Sequence, residues 1–270
     1  KIDIALGGGV PEGSLFIMTG PEKVGKTVTA LTFCANCQDI QRKVYYGNIE
    51  GRLRKRDLEG IVDLDMDPAS LEIIGSTQGN ILCAEQYLGI FDNLIHTQPD
   101  CICVVDSFSA LSSESELTGD LTDTQVMSVQ KVLAKFCRRI SNVLPINKVT
   151  VVGITHLMAN MSTFGRGKTK VEKSGSALKY QVDVKLHATH SQPITQGDTQ
   201  IGQTVHWQVV TSAIGAPGQK VSSHIKYGRG IWKEMELADL LVDFGLVEKS
   251  GTWFKLPNEE KVQGKNNLAK

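Results

Sequence analysis

Residues 20–27, GPEKVGKT, could bind the phosphates of a nucleotide. They fit the pattern G-x-x-x-x-G-K-[ST], in which backbone N–H groups surround a phosphate, the lysine contacts phosphate oxygens and the last hydroxyl ligates Mg²⁺. The apolar run SLFIMT precedes the loop and the helical pattern VTALTFCANC follows it. The sequence therefore predicts a nucleotide and Mg²⁺ site formed by Gly20, Pro21, Glu22, Lys23, Val24, Gly25, Lys26 and Thr27.

Two acidic residues at the ends of other apolar runs could complete this chemistry. Asp106 ends CICVVD, and an aspartate at the end of a buried strand can face the metal ion of such a loop. Glu50 ends KVYYGNIE, and a carboxylate at that place could polarise the attacking water. Taken alone, Glu50 has the alternative interpretation of a solvated strand-end cap. The pattern favours nucleotide hydrolysis, with Thr27 and Asp106 at the metal ion.

Short apolar runs alternate with helical patterns and define the elements that must position these residues. SLFIMT, KVYYGNI, CICVV and VTVVGI are apolar throughout, as strands covered on both faces are, and helical patterns lie at 27–39 and near 52–62. An α/β fold with a mainly parallel sheet follows. Beyond about residue 180, VDVKLHAT, TVHWQVV and KVSSHIKYG are separated by the polar stretches SQPITQGDTQIG and GAPG, which predicts antiparallel strands that extend the sheet.

A change in composition at YGRG predicts two domains. Residues 1–228 would form the nucleotide-binding core. Residues 229–270 would form part of a small α+β subdomain, because WKEMELADLLVDFGLVEKSGTWFKL has the pattern of an amphipathic helix, a glycine turn and a short aromatic strand. The chain starts without Met and ends at NNLAK, so we expect a fragment of a longer protein.

Composition limits the class of protein. The 270 residues are 41% hydrophobic, which is enough for a sizeable core, and 29 Lys plus Arg balance 29 Asp plus Glu. Any site for a polyanion must therefore be local. Apolar runs fall short of the roughly 18–20 residues that span a membrane, and KIDIALGGG lacks the apolar centre of a signal peptide. A cytoplasmic protein with no membrane partner is predicted.

Six cysteines are scattered along the chain, and Cys34 and Cys37 have the spacing C-x-x-C. A second pair or a nearby histidine that would complete a zinc set is absent from the sequence around them. We expect buried thiols in a reducing compartment rather than a metal or redox site.

Residues 116–156, from ELTGDLTDTQ to VTVVGITH, resemble the bacterial RecA recombinases and their phage relatives of the UvsX type. KIDIALGGGVPEG is similar to the start of that family's ATPase core, and SGSALKYQVDVKL is similar to the end of its second DNA loop. The segment from IKYGRGI to VQGK is similar to the junction between the family's core and its C-terminal domain. The resemblance covers nearly the whole chain. It implies a RecA-type P-loop ATPase core.

The resemblance implies catalytic roles for individual residues. Lys26 and Glu50 would be the phosphate-binding lysine and the catalytic glutamate, and Asp106 the Mg²⁺-associated aspartate. His156 would sense the γ-phosphate, at a place where bacterial members usually have Gln and phage-type members His. Without the resemblance, His156 would be interpreted as a hydrogen-bonded histidine at a strand end.

The resemblance also implies two DNA-binding loops, at about 112–124 and 158–174. The second, MANMSTFGRGKTKVEKS, combines cations, glycines and an aromatic residue, which suits phosphate contacts and base stacking, although a solvated surface loop is the alternative interpretation. The implied DNA-binding residues are Arg138, Phe164, Arg166, Lys168, Lys170, Ser174, Gly175 and Ser176.

Two departures from the family concern the nucleotide. The usual adenine-stacking tyrosine is missing after Glu50, and Arg54 or Arg56 could stack on the base instead. Two lysines that reach the ATP of the neighbouring subunit are replaced by Thr211 and Ala213. Cations that could substitute for them are Arg229 and Lys220, with Lys168 and Lys170 more remote.

The expected function is ATP-dependent homologous recombination. Such a DNA-dependent ATPase would form a helical filament on single-stranded DNA, search double-stranded DNA for a matching sequence and exchange strands. It would act in the cytoplasm, or in the cytoplasm of the host cell if it is phage-encoded. Two alternatives remain open from the sequence: a ring-forming DNA motor such as a helicase, and a regulatory homologue that hydrolyses nucleotide weakly.

Overall fold

A computed structural model describes residues 1–119, 128–159, 170–172, 178 and 181–269 of the chain. The helices are α1 (Ile2–Leu6), α2 (Lys26–Gln38), α3 (Lys55–Glu59), α4 (Ala84–Thr97), α5 (Glu114–Thr118), α6 (Ser128–Ile140), α7 (Val143–Asn147), α8 (Lys233–Asp243) and α9 (Lys265–Leu268). The strands are β1 (Leu15–Gly20), β2 (Val44–Asn48), β3 (Leu71–Ile74), β4 (Ile102–Asp106), β5 (Thr150–Ala159), β6 (Lys170–Glu172), β7 (Val184–Gln196), β8 (Thr199–Thr211), β9 (Lys220–Lys226), β10 (Gly230–Ile231), β11 (Glu248–Ser250), β12 (Trp253–Lys255) and β13 (Lys261–Gln263).

The predicted parallel sheet is confirmed. The strand order β3-β2-β4-β5-β1-β7 is parallel throughout, and β1 and β4 are buried along their whole length. Alternate residues of β1 enter two different cores: Phe16 and Met18 pack with α2, whereas Leu15 and Ile17 pack with α4 and α6. Both faces are therefore covered, which is why these strands have continuous apolar sequences.

The antiparallel extension is also confirmed, as β7, β8, β9 and β10 pair in that order. The predicted turn SQPITQGDTQIG is wrong for most of its length, because β7 continues to Gln196 and β8 begins at Thr199. Pro193 is compatible with this strand because β1 pairs only with residues 184–187 of β7. A proline beyond that point removes no hydrogen bond to β1.

Helix lengths differ from the sequence prediction in one place. The charged helix expected near 52–62 is only α3, which ends at Glu59, whereas the helix expected at 27–39 is α2, almost residue for residue. β3 and the amphipathic α4 were not predicted from the sequence. In α4 the side chain of Gln86 accepts a hydrogen bond from the N–H of Cys83 and caps the helix start.

The C-terminal segment forms α8, α9 and a separate sheet of β11, β12 and β13. Lys1 joins α8 to the core through its side chain, whose Nζ lies 3.1 Å from Asp239 Oδ2. The division at residue 228 stays a prediction, and β10 of the large sheet lies just beyond it. All six cysteines are buried and unpaired, as expected. None of the helices in the described ranges has the length and apolar character needed to cross a membrane.

Candidate nucleotide-binding site

The predicted phosphate loop connects β1 to α2, as its mechanism requires. Gly25 precedes α2 with a φ of 99°, a left-handed conformation that favours glycine. A Cβ at Gly20 would lie 2.7 Å from the carbonyl oxygen of Ala188, so β7 also requires a residue without a side chain there. Local backbone geometry therefore requires glycine at both positions of the motif.

The other predicted catalytic residues reach the same edge of the sheet. Gly20 pairs with His156 and Asn48 pairs with Asp106, because the carboxyl ends of parallel strands coincide. An open cleft of about 840 Å³ lies at this edge. Its lining includes Lys26, Thr27, Glu50, Ser107 and His156.

Lys26 is 4% exposed at the first position of α2. Its Nζ donates hydrogen bonds to the carbonyl oxygens of Gly20 at 3.0 Å and Pro21 at 2.5 Å. Burial lowers the pKa of Lys26 to about 8, and the negative charges of Asp106, Glu50 and Glu22 oppose that shift. The ammonium thus lies buried in the loop with carbonyl oxygens as its hydrogen-bond acceptors, which an anionic ligand could replace.

Asp106 at the end of β4 is also buried. The hydroxyls of Thr27 and Tyr46 both donate to its Oδ2, at 2.8 and 2.7 Å. Burial raises the pKa of Asp106, and these two hydrogen bonds act in the opposite direction. A carboxylate beside a threonine hydroxyl offers the oxygen ligands that Mg²⁺ prefers, and this cation usually takes only one or two carboxylates together with phosphate oxygens and water. The residues therefore fit Mg²⁺.

Glu50 follows β2 and accepts two hydrogen bonds on one oxygen. His156 Nε2 lies 2.7 Å from Glu50 Oε1, and the Ser107 hydroxyl donates to the same atom at 2.8 Å. The hydrogen bond from His156 is the main reason that the pKa of Glu50 falls to about 2. Glu50 is therefore an ionised carboxylate at neutral pH, as a base that activates water must be.

His156 is fixed from its backbone as well. Its N–H donates to the Ser109 hydroxyl at 2.8 Å, and Nδ1 is buried without a partner in the described ranges. Sequence reasoning found Glu50 and His156 but missed Ser107 and Tyr46. Ser107 follows Asp106 directly, and Tyr46 lies two residues before Asn48 on the same face of β2, but the strand pairing that brings them to Glu50 and Asp106 is not visible in the sequence.

Arg54 and Arg56, the residues predicted to stack on the adenine, do not line the cleft. Arg54 precedes α3 and Arg56 is an exposed residue of that helix 3.8 Å from Asp57. The cleft lining includes Arg52 and Tyr227 instead. Tyr227 is half exposed, and its ring is suited to stacking on a base.

The structure places some of the predicted DNA-binding residues. Arg138 is exposed in the last turn of α6, next to Arg139, whose guanidinium forms a bidentate ion pair with Asp92. Lys170 begins β6, which pairs antiparallel with the end of β5. The remaining predicted contacts lie outside the described residues: Phe164, Arg166, Lys168, Ser174, Gly175 and Ser176.

The candidate trans cations lie away from the cleft lining. Arg229 follows β9 with its guanidinium 3.3 Å from Glu234, and Lys220 begins β9. Thr211 ends β8, and Ala213 follows in the connection to β9.

The phosphate loop, the two acidic strand ends and the mixed sheet define a P-loop ATPase with a RecA-type core. Residues 1–232 match the family model described as the RecA N-terminal domain. The chain is 30% identical over 268 residues to protein RecA of Sulfurimonas denitrificans, and 31% identical to protein RecA of Wolinella succinogenes (267 residues) and of Cutibacterium acnes (271 residues). These matches cover 98–100% of this chain and 74–75% of each relative.

The chain belongs to the RecA family. It is a RecA-type recombinase and, as an enzyme, a DNA-dependent ATPase. The ring-forming motor and the weakly hydrolysing homologue are not favoured. The relatives named above are bacterial, so the phage-type likeness suggested by His156 is not borne out by them.

Proposed function

We propose that the cleft binds ATP with Mg²⁺ and that the chain uses it to act as a filament on DNA. The observation that carries the proposal is the convergence of Lys26, Thr27, Asp106, Glu50 and His156 at one edge of the sheet. The backbone N–H groups of 22–27 would surround the β-phosphate. Lys26 would exchange the carbonyl oxygens of Gly20 and Pro21 for phosphate oxygens.

Thr27 and Asp106 would hold the metal ion, which neutralises phosphate charge when bound. Glu50 would act as the general base. Because His156 and Ser107 both bind Oε1, that oxygen is fixed, and Oε2 is the atom that would accept the proton of the attacking water. Ser107 would therefore orient the base, and His156 would do so until it turns to the nucleotide.

His156 would connect the nucleotide to DNA. To donate Nε2 to a γ-phosphate oxygen, it must release Glu50, so the two hydrogen bonds are alternatives. The same strand, β5, continues for three residues to Ala159 and pairs there with β6. A movement of His156 would therefore be passed along β5 toward the second DNA loop.

Single-stranded DNA would bind to Arg138 and to the cationic second loop, and double-stranded DNA would be searched against the bound strand. ATP would lie between subunits of a helical filament, with Arg229 ahead of Lys220 as the cation supplied in trans. We place this activity in the cytoplasm, where DNA and ATP are both available.

Electron microscopy of the chain with single-stranded DNA and a non-hydrolysable ATP analogue tests this proposal. Helical filaments are expected for the wild type, and only in the presence of the analogue. Lys26→Ala serves as the matched variant and should remain unassembled with the same DNA. Closed rings or isolated subunits for the wild type would contradict the proposal.

A further inference from the structure

Tyr46 carries a hydroxyl into an otherwise apolar core. Its side chain is 0% exposed in β2, and its ring packs in the same core as Met18, Leu31 and Val104. A phenylalanine would fill the same space without a polar atom to satisfy. The phenol instead donates to Asp106 Oδ2 at 2.7 Å, so the polar atom has a defined partner at the nucleotide site.

The register of the sheet explains how a residue outside the cleft reaches Asp106. Asn48 is directly opposite Asp106, and Tyr46 lies two residues earlier on the same face of β2. From that position the long aromatic side chain reaches across to β4, where its hydroxyl contacts Asp106.

The shared acceptor links Tyr46 to Thr27. Thr27 donates its only hydroxyl hydrogen to the same Oδ2 atom, at 2.8 Å, which leaves both of its oxygen lone pairs available for a cation. That orientation depends on the carboxylate staying in place. Within the described residues, Thr27 and Tyr46 are the two side chains that hydrogen-bond to the Asp106 carboxylate.

We infer that Tyr46 is a positioning residue of the nucleotide–metal site, whose hydroxyl fixes the Asp106 carboxylate and through it the Thr27 hydroxyl. The inference rests on the proposed binding of Mg²⁺ and ATP to this cleft. It assigns Tyr46 no contact with nucleotide, metal or water. Residues that orient a metal ligand in this way typically change metal affinity by about 10–100-fold when they are altered.

The variant Tyr46→Phe tests the inference because it removes one oxygen atom and keeps the ring. Tyr45→Phe is the matched control: Tyr45 is the preceding residue, is 5% exposed and packs in the opposite core. The measurement is the dissociation constant of ATP by calorimetry, with Mg²⁺ and with the metal removed by chelation. The ratio of the two constants within one variant cancels any change in the fraction of folded protein.

For the wild type and Tyr45→Phe, Mg²⁺ should tighten ATP binding by the same factor. For Tyr46→Phe that factor should fall by about 10-fold, while binding of metal-free ATP stays unchanged. A factor equal to the wild-type value would overturn the inference and leave the proposed function intact. Equal affinity with and without Mg²⁺ in the wild type would refute the proposed site itself, and the inference with it.

Discussion

The parallel and antiparallel halves of the large sheet place their polar side chains in different ways. In the parallel half both faces are covered by helices, and the polar groups gather where β1, β2, β4 and β5 end. In the antiparallel half they lie on a sheet face: the ring of His190 in β7 stacks on His206 in β8, with centroids 4.3 Å apart, and Ser222 in β9 hydrogen-bonds His206.

This difference decides what a sequence can reveal. A strand buried on both faces marks its functional end by the residue at which the apolar run stops. Polar pairs across antiparallel strands depend on register, as in the pairing of His190 with His206 and of His206 with Ser222. We therefore expect substitutions at the parallel edge to affect catalysis and those on the antiparallel face to affect stability.

The largest effect is expected for Lys26→Ala. Removing the ammonium beside the β- and γ-phosphates should reduce ATP hydrolysis by roughly 10³-fold or more, because phosphoryl transfer depends on such charge stabilisation. The hydrogen bonds that the variant removes involve only loop carbonyls, so the circular dichroism spectrum should not change. Lys55→Ala in α3, which removes an exposed lysine, is the control. Hydrolysis at the wild-type rate in Lys26→Ala would end the assignment of this site.

Glu50→Gln should slow hydrolysis by about 10²–10⁴-fold while ATP still binds, because an amide can orient water but cannot accept its proton. Single-turnover hydrolysis of bound ATP measures this step. Glu72→Gln in β3 is the matched control, as it removes an exposed carboxylate from the same half of the sheet. A loss of ATP affinity with normal turnover of bound nucleotide would make Glu50 a structural residue.

An intermediate effect is expected from the predicted second DNA loop, whose residues Arg166 and Lys168 lie outside the described residues. Arg166→Ala combined with Lys168→Ala should weaken binding to single-stranded DNA and reduce the slope of log K against log salt by about 0.7 for each phosphate that is no longer neutralised. Fluorescence anisotropy across a salt series measures the slope. As a control, Lys55→Ala combined with Arg56→Ala removes the same amount of charge from α3. This variant should leave the slope unchanged. An unaltered slope in the loop variant would place DNA elsewhere.

The smallest effect is expected at His206, on the antiparallel face. Burial, followed by the charges of His190 and His224, lowers its pKa below the ordinary 6.5. The unfolded state therefore binds a proton at His206 more readily than the folded state does. The free energy of unfolding should be fully retained above pH 6.5 and decline as the pH falls below it. His206→Asn should flatten the decline in unfolding free energy between about pH 7 and 5, measured by urea denaturation, without changing ATP hydrolysis.

His96→Asn, at an exposed position of α4, is the control for that measurement. It should keep the wild-type pH dependence of stability. If His206→Asn also kept it, the histidine stack would not respond to protonation. If it instead reduced hydrolysis at neutral pH, the division of roles between the two halves would be wrong.

The sequence predicted most of the parallel half for one physical reason. SLFIMT and CICVV are apolar on both faces, so their ends identified Gly20 and Asp106, whereas the role of His156 at the end of VTVVGI was implied only by the family resemblance. The hydroxyls that support them were not predicted, because the contacts of Tyr46 with Asp106 and of Ser107 with Glu50 join residues that only the sheet register brings together. The long β7–β8 hairpin was missed because Pro193, Gly197 and Asp198 have the composition of a turn.

The central claim is that one edge of the sheet binds ATP and couples its hydrolysis to DNA. Its most direct test is the rate of ATP hydrolysis by the wild-type chain at saturating ATP and Mg²⁺, with and without single-stranded DNA. We predict a low rate without DNA and a large increase when DNA is added, an increase that Glu50→Gln abolishes. The same rate with and without single-stranded DNA would contradict the claim.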